Sequence, residues 1–353
     1  MSAQQHIFHY QQEYRLESGA ALPGFQLAYT TYGQLNPERS NAVWVCHALT
    51  GSSDFTDWWG GLFGEGKLYN PEDWFIVCAN TLGGCYGSTG PLSVNPDTLQ
   101  PFFHTFPQLT NRDIAGAFEL LRQELELDKV HTLIGGSLGG QQALEWALQQ
   151  PDVFERLVHV ASNARHSAWG IAFNESQRMA IRQDPTWKEN SETAGREGLK
   201  TARAIAMLSY RHYSSYELTQ QEPGNSITDN YRAASYQVYQ GEKLANRFNA
   251  YTYWLLSKAM DSHNIGRGRG GAEKALHHLK AKTLFAGVDT DLLFPVEEQQ
   301  FLHASVPGSH FALLQSNYGH DGFLVETEQL AAAIHQFYQS ETINQLYYEE
   351  QER

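Results

Sequence analysis

Residues 130–147 read VHTLIGGSLGGQQALEWA. The first five are rich in apolar and β-branched types and predict a strand. Leu138, Ala143, Leu144, Trp146, Ala147 and Leu148 recur at helical spacing and predict a helix. Between the two stands Gly135-Gly136-Ser137-Leu138-Gly139-Gly140, a G-x-S-x-G pattern at a strand-to-helix junction. The glycines have a physical reason, since a Cβ would collide where a helix turns back sharply against its own strand. Such a turn lifts the serine hydroxyl out of the sheet. It also sets the hydroxyl beside a helix N-terminus, whose free N–H groups favour developing negative charge. A glycine-rich turn with Ser137 as a plain helix cap is the alternative reading. The strand before and the helix after favour a strained turn that presents a nucleophile.

Further strands are expected at 26–32, 42–47 and 74–79 before this junction and at 157–161 after it, with a helix at 111–125. Between about 165 and 279 the pattern is helical and amphipathic, without a convincing strand. Its clearest helices fall at 202–213, 231–239 and 250–260. Strand signals return at 283–286 and 311–314, with helices at 296–304 and 326–338. This alternation predicts an α/β fold, a mostly parallel sheet flanked by helices. Residues 1–164 and 280–353 would form the core, and 165–279 a helical lid inserted in it. The tail after Ser340 is acidic and polar and is expected to fray.

Composition narrows the function classes. The chain has 353 residues, 41% of them apolar, with a formal net charge of -14. That charge argues against a nucleic-acid partner or an anionic membrane, and any anionic substrate must find local Lys or Arg. The amino terminus lacks the apolar core of a signal peptide, and no run approaches the roughly 18 apolar residues of a membrane span. The odd count of three cysteines, Cys46, Cys78 and Cys85, reads as a reduced, cytoplasmic protein.

A nucleophilic serine needs a general base and a carboxylate to orient it, in the chain order Ser, Asp or Glu, His on a fold of this kind. The strand at 283–286 runs into Val288-Asp289-Thr290-Asp291-Leu292-Leu293-Phe294-Pro295. The next strand runs into Ser316-Asn317-Tyr318-Gly319-His320-Asp321-Gly322. Both sites stand at carboxyl ends of strands, where open α/β sheets bind ligands. His320, flanked by glycines, is the expected base, while Asp289 and Asp291 compete for the orienting role. Two backbone N–H groups should hold an oxyanion: that of Leu138 and one from the segment His47-Ala48-Leu49-Thr50-Gly51.

Eight segments together resemble the homoserine O-acetyltransferase family of α/β-hydrolase-fold acyltransferases: HALTG (47–51), WWGGLFGEGK (58–67), NTLGGCYGSTGPLSVNP (80–96), GGSLGGQQALEWA (135–147), AFNESQR (172–178), TARAIAMLSYR (201–211), DLLFP (291–295) and YGHDGFL (318–324). The resemblance spans about residues 28–326. It implies a catalytic triad of Ser137, Asp291 and His320, choosing Asp291 over Asp289 through the D-x-L-F-P motif, with oxyanion N–H groups on Leu49 and Leu138. It further implies that Arg203 binds the carboxylate and Asp321 the ammonium of an amino-acid acceptor, with Tyr210 beside them. It implies acetyl-CoA as donor substrate and L-homoserine as acceptor on the route to methionine, no permanently bound cofactor, and a homodimer formed through the lid. A succinyl donor, a serine acceptor and a simple esterase are the rival readings. The chain departs from the family at Asn111, where an apolar residue is usual, and in a short segment between Tyr213 and Tyr231. The second departure bears on acyl-donor choice, not on the triad.

Other patterns carry less. Residues 61–67, GLFGEGK, fit a phosphate-binding loop, but Leu68 replaces the Ser or Thr that would hold Mg²⁺. GRGRGG at 266–271 is expected to be a flexible loop leaving the lid. His277-His278 lacks further ligands at metal spacing, so no metal site is expected.

Overall fold

The computed structural model describes residues 2–351, with side chains through residue 340. The expected fraying after Ser340 lies outside the described side chains. Among the described residues the main sheet has eight strands: β1 (Gln4–Tyr10), β2 (Phe25–Tyr32), β3 (Ala42–Cys46), β4 (Phe75–Ala79), β5 (Val130–Gly136), β6 (Phe154–Val160), β7 (Lys282–Val288) and β8 (His310–Leu314). Their spatial order is β1-β2-β4-β3-β5-β6-β7-β8. Only β2 runs opposite to the other seven strands, antiparallel to β1 and to β4.

Central strands read as near-continuous apolar runs because helices cover both faces of the sheet. On one face Trp44 of β3 packs edge-on against Trp146, with ring centroids 4.9 Å apart, and Phe118 closes the cluster. Those partners come from α1 (Asn111–Glu124) and α2 (Leu138–Gln149). On the other face Ile134, Val158 and Ala286 meet Leu330, Ile334 and Phe337 of the last long helix, Thr327–Gln351. A capping box at Thr110 and Asp113 fixes where α1 begins.

Between β6 and β7 the chain leaves the sheet for five longer helices: α3 (Ala168–Gln183), α4 (Arg196–Tyr210), α5 (Tyr213–Gln220), α6 (Arg232–Ala245) and α7 (Ala250–Asp261). None of the described helices is long and apolar enough to cross a membrane.

Three expectations need correction. Strand β1 was not anticipated, because its apolar alternation is broken: Ile7 stands in the outward row with Gln5 and His9, and His6 joins Phe8 and Tyr10 in the partly buried row against β2. Helix α3 was not singled out either, because polar residues interrupt its apolar period. Asn174 and Arg178 point inward and meet Asp261 at 2.9 and 2.5 Å. The GRGRGG segment is no loose loop. Arg269 grips the buried Glu145 carboxylate with two bonds of 2.6 and 3.0 Å, and Arg267 pairs with Glu17 at 2.8 Å.

Candidate active site

The G-x-S-x-G junction folds as a sharp turn from β5 into α2, with Ser137 at φ 57° and ψ −125°. A non-glycine residue held there costs about 1–3 kcal/mol and persists because its surroundings over-determine it. The Ser137 N–H donates to Val160 O at 3.0 Å, and its carbonyl accepts from Ser162 Oγ at 2.7 Å. The glycines let α2 approach. A Cβ on Gly139 would lie 2.0 Å from the Cys46 carbonyl oxygen, and one on Gly135 2.3 Å from that of Gly139.

The loops after β7 and β8 bring the other two side chains to this turn. His320 Nε2 lies 2.9 Å from Ser137 Oγ, and His320 Nδ1 lies 2.6 Å from Asp291 Oδ2. The second Asp291 oxygen accepts the N–H groups of Leu293 and Phe294, both at 2.8 Å. With its carboxylate so engaged, Asp291 accepts a hydrogen bond from Nδ1–H, which keeps the proton on that nitrogen and leaves Nε2 to accept from the serine hydroxyl. Phe294 stacks on the His320 ring at 5.1 Å and Phe323 packs at 5.3 Å, holding the imidazole in place. Asp289 is elsewhere. Its carboxylate accepts the Ser316 N–H at 2.9 Å and ties the two loops together.

Ser137 opens into a cavity of about 190 Å³ whose walls include Leu49, Arg203, Tyr210, Arg247, His320 and Asp321. Among the described residues, no acceptor is hydrogen-bonded to the N–H of Leu49 or Leu138. The peptide carrying the Leu49 N–H is held by its other end, the Ala48 carbonyl, which accepts from Gly51 N–H at 2.8 Å and from His47 Nδ1 at 2.8 Å. Thr81 N–H donates to His47 Nε2 at 3.0 Å, which fixes the tautomer. Burial pushes the His47 pKa down to about 4, so the ring is neutral near pH 7.

Opposite the serine, α4 supplies Arg203 and Tyr210, two helical turns apart on one face, with the guanidinium 5.3 Å from the ring centroid. Arg203 Nε and one terminal nitrogen are buried without a hydrogen-bond partner. Asp321 is 2.9 Å from Arg211 Nε. Burial pushes the Asp321 carboxyl above its usual range, against the pull of the Arg211 and Arg203 charges.

Residues 41–327 match the family model for the alpha/beta hydrolase fold. A homoserine O-acetyltransferase of Cyclobacterium marinum is 53% identical over 334 residues, covering 95% of each chain. The chain belongs to the homoserine O-acetyltransferase family. A crystal structure of homoserine O-acetyltransferase from Staphylococcus aureus superimposes with a TM-score of 0.79 at 31% identity, over 96% of this chain and 95% of that one. The fold is not confined to transferases, since the crystal structure of esterase E22 aligns with a TM-score of 0.86 at 25% identity, over 95% and 100%.

The departure at Asn111 from the family pattern has a local reason. Asn111 Nδ2 donates to Gln141 Oε1 at 3.2 Å, and Gln141 Nε2 donates to Asn163 Oδ1 at 3.0 Å, so a polar chain threads the interior behind the serine turn. Three site residues escaped sequence reasoning. Arg211 sits beside the flagged Tyr210, and adjacency was its only signal. His47 was legible as a polar residue ending an apolar strand, but not as a tautomer-locked support. Arg247 carries no local signal, because its meaning lies in contacts 161 and 197 residues away.

Proposed function

We propose that this protein moves an acetyl group from acetyl-CoA to the side-chain hydroxyl of L-homoserine through an acyl-enzyme on Ser137, a step toward methionine. The observation that carries the reading is one cavity. It holds a serine hydroxyl paired to an Asp-oriented histidine, and it also holds a guanidinium with two nitrogens free of hydrogen bonds and a carboxylate suited to an amino acid. His320 takes the Ser137 proton as Oγ attacks the thioester carbonyl, and the N–H groups of Leu49 and Leu138 hold the resulting oxyanion. The carbon–sulfur bond breaks and His320 returns the proton to the departing thiolate. Homoserine then gives its hydroxyl proton to His320, attacks the acetyl ester, and Ser137 recovers the proton. Both half-reactions use one base and one oxyanion site, so no permanently bound cofactor is needed.

In this scheme Arg203 binds the acceptor carboxylate through a planar fork, and Asp321, with Tyr210 nearby, faces the ammonium. The names of the relatives support acetyl over succinyl as the group transferred. A helical insertion over the serine would exclude water, the physical difference between a transferase and an esterase. Leu208, Tyr213, Leu218, Val238 and Tyr239 leave large apolar side chains exposed on α4, α5 and α6. A second copy of the chain covering them would make a homodimer through the insertion. Substrates of this kind, an acyl-CoA and a free amino acid, support a cytoplasmic enzyme.

The test is thiol release with acetyl-CoA or succinyl-CoA against homoserine or serine. Release that depends on homoserine and prefers acetyl-CoA is expected. Equal release without any acceptor would support the esterase reading instead.

A further inference from the structure

Arg247 reaches the site from the helical insertion and touches the turn that carries the Leu49 N–H. One of its terminal nitrogens donates to the Thr50 carbonyl at 2.7 Å and to the Tyr86 hydroxyl. Thr50 is the third residue of the turn closed by Gly51 N–H and the Ala48 carbonyl. The turn is therefore fixed at two points, at Ala48 by His47 from the core and at Thr50 by Arg247 from the insertion. The support behind Arg247 is firm. Phe248 is buried, its N–H donates to Leu244 O at 2.9 Å, and the next residue, Asn249, caps α7 by accepting the Thr252 N–H at 2.8 Å.

We propose that Arg247 is a positioning residue. It holds the Thr50 end of the turn so that the Leu49 N–H stays aimed at the oxyanion, and so couples the seating of the insertion to acylation of Ser137. The inference rests on the acyl-enzyme reading above. A neutral peptide carbonyl anchored by a cation resists rotation more than one anchored by solvent, and an oxyanion donor is effective only when it needs no reorganisation. Arg247 also lines the mouth of the cavity, so a direct contact with the anionic acyl donor is the competing role.

The two roles separate with a donor that carries no phosphate. Rapid-mixing acylation of Ser137 is to be measured with acetyl-CoA and with p-nitrophenyl acetate, for the wild type, Arg247→Ala and Arg247→Lys. Positioning predicts that Arg247→Ala slows the maximal acylation rate with both donors by a similar factor, about 10- to 100-fold, with little change in half-saturation. Arg247→Lys, which can still reach one carbonyl, recovers part of that rate. Arg247 is an exposed side chain, so an unchanged melting temperature is expected in both variants. A loss confined to acetyl-CoA and seen as weaker half-saturation would overturn the inference in favour of donor binding, and full-rate acylation of Arg247→Ala would overturn it outright. A wild type that gives no acyl-enzyme with either donor would sink the Ser137 reading and this inference with it.

Discussion

The two walls of the cavity are built on different principles. On the sheet side the side chains of the serine, histidine and aspartate have their partners in the free protein, and only the backbone N–H groups of Leu49 and Leu138 stay open. Asp291 spends both oxygens, one on His320 and one on two backbone N–H groups, and His320 spends both ring nitrogens. On the insertion side Arg203 keeps two guanidinium nitrogens buried without a hydrogen-bond partner, and Arg211 reaches across to pair with Asp321, which follows His320 on the sheet-side loop. A group that must act on every bond-making step gains from being fixed beforehand, because reorganisation then costs nothing at the barrier. A group that must greet a charged substrate gains from being unsatisfied until the substrate arrives. In the proposed scheme the sheet wall carries the chemistry, and Arg203 on the insertion wall recognises the acceptor.

The largest effect should fall on the sheet side. Ser137→Ala removes the only covalent centre of the scheme and is expected to lower thiol release about a million-fold, with an unchanged circular dichroism spectrum. Near-native transfer by that variant would move the nucleophile elsewhere. Asp291→Asn should come next, at roughly ten-thousand-fold, since it unsettles the tautomer on which His320 depends. Asp289→Asn should cost less than about tenfold, because that carboxylate only ties two loops together. The reverse ranking of the two aspartates would break the geometry described for the sheet wall.

Effects on the insertion side should be smaller and confined to one substrate. Arg203→Ala loses a charge-assisted fork in a partly buried site and is expected to cost about 2–4 kcal/mol, or roughly 30- to 1000-fold in kcat/KM for homoserine. Arg203→Lys should recover only part of this, since a point charge cannot reproduce a planar fork. An amino alcohol lacking the carboxylate should be a poor acceptor for the native enzyme and little worse for Arg203→Ala. An equal penalty on both acceptors would show that Arg203 supports the fold rather than the carboxylate.

The last expectation leaves the chemistry untouched and falls on the interior that carries the sheet wall. Burial pushes the pKa of His47, His131 and His166 down to about 4 and those of His159 and His263 to about 3. In the unfolded chain these rings titrate near pH 6.5, so between 6.5 and 4 the unfolded state binds more protons. Stability is therefore complete above pH 6.5 and lost as the pH falls through that window. Differential scanning calorimetry should show a melting temperature about 10 °C lower at pH 5 than at pH 7.5. A melting temperature flat across that range would mean these imidazoles are not held neutral.

What could be read from the sequence follows the same division. The serine turn, Asp291 and His320 each sit at the carboxyl end of a strand, so local pattern and chain order find the serine and the histidine and narrow the carboxylate to two. Choosing between Asp289 and Asp291 needed the family motif, and the geometry gives the reason: only Asp291 faces the imidazole. Arg203, Tyr210 and Asp321 were legible only by resemblance, because a helix-borne arginine looks like any solvated charge until its helix is placed over a serine. Arg211 and Arg247 were invisible for the same reason carried further, since their partners come from separate elements. β1 was missed, and α3 was not singled out within the stretch read as helical, where polar side chains interrupt the apolar period. The arginines of GRGRGG looked mobile because their carboxylate partners lie far away in sequence.

The division of labour between the two walls can be tested in one measurement, the intact mass of the wild type and of Arg203→Ala, first with acetyl-CoA alone and then after homoserine is added. The account predicts one acetyl group on Ser137 in both proteins, formed at similar rates. Homoserine should clear it promptly from the wild type and slowly from the variant. An unmodified wild type, or an Arg203→Ala variant that fails to acetylate but clears normally once acetylated, would contradict it.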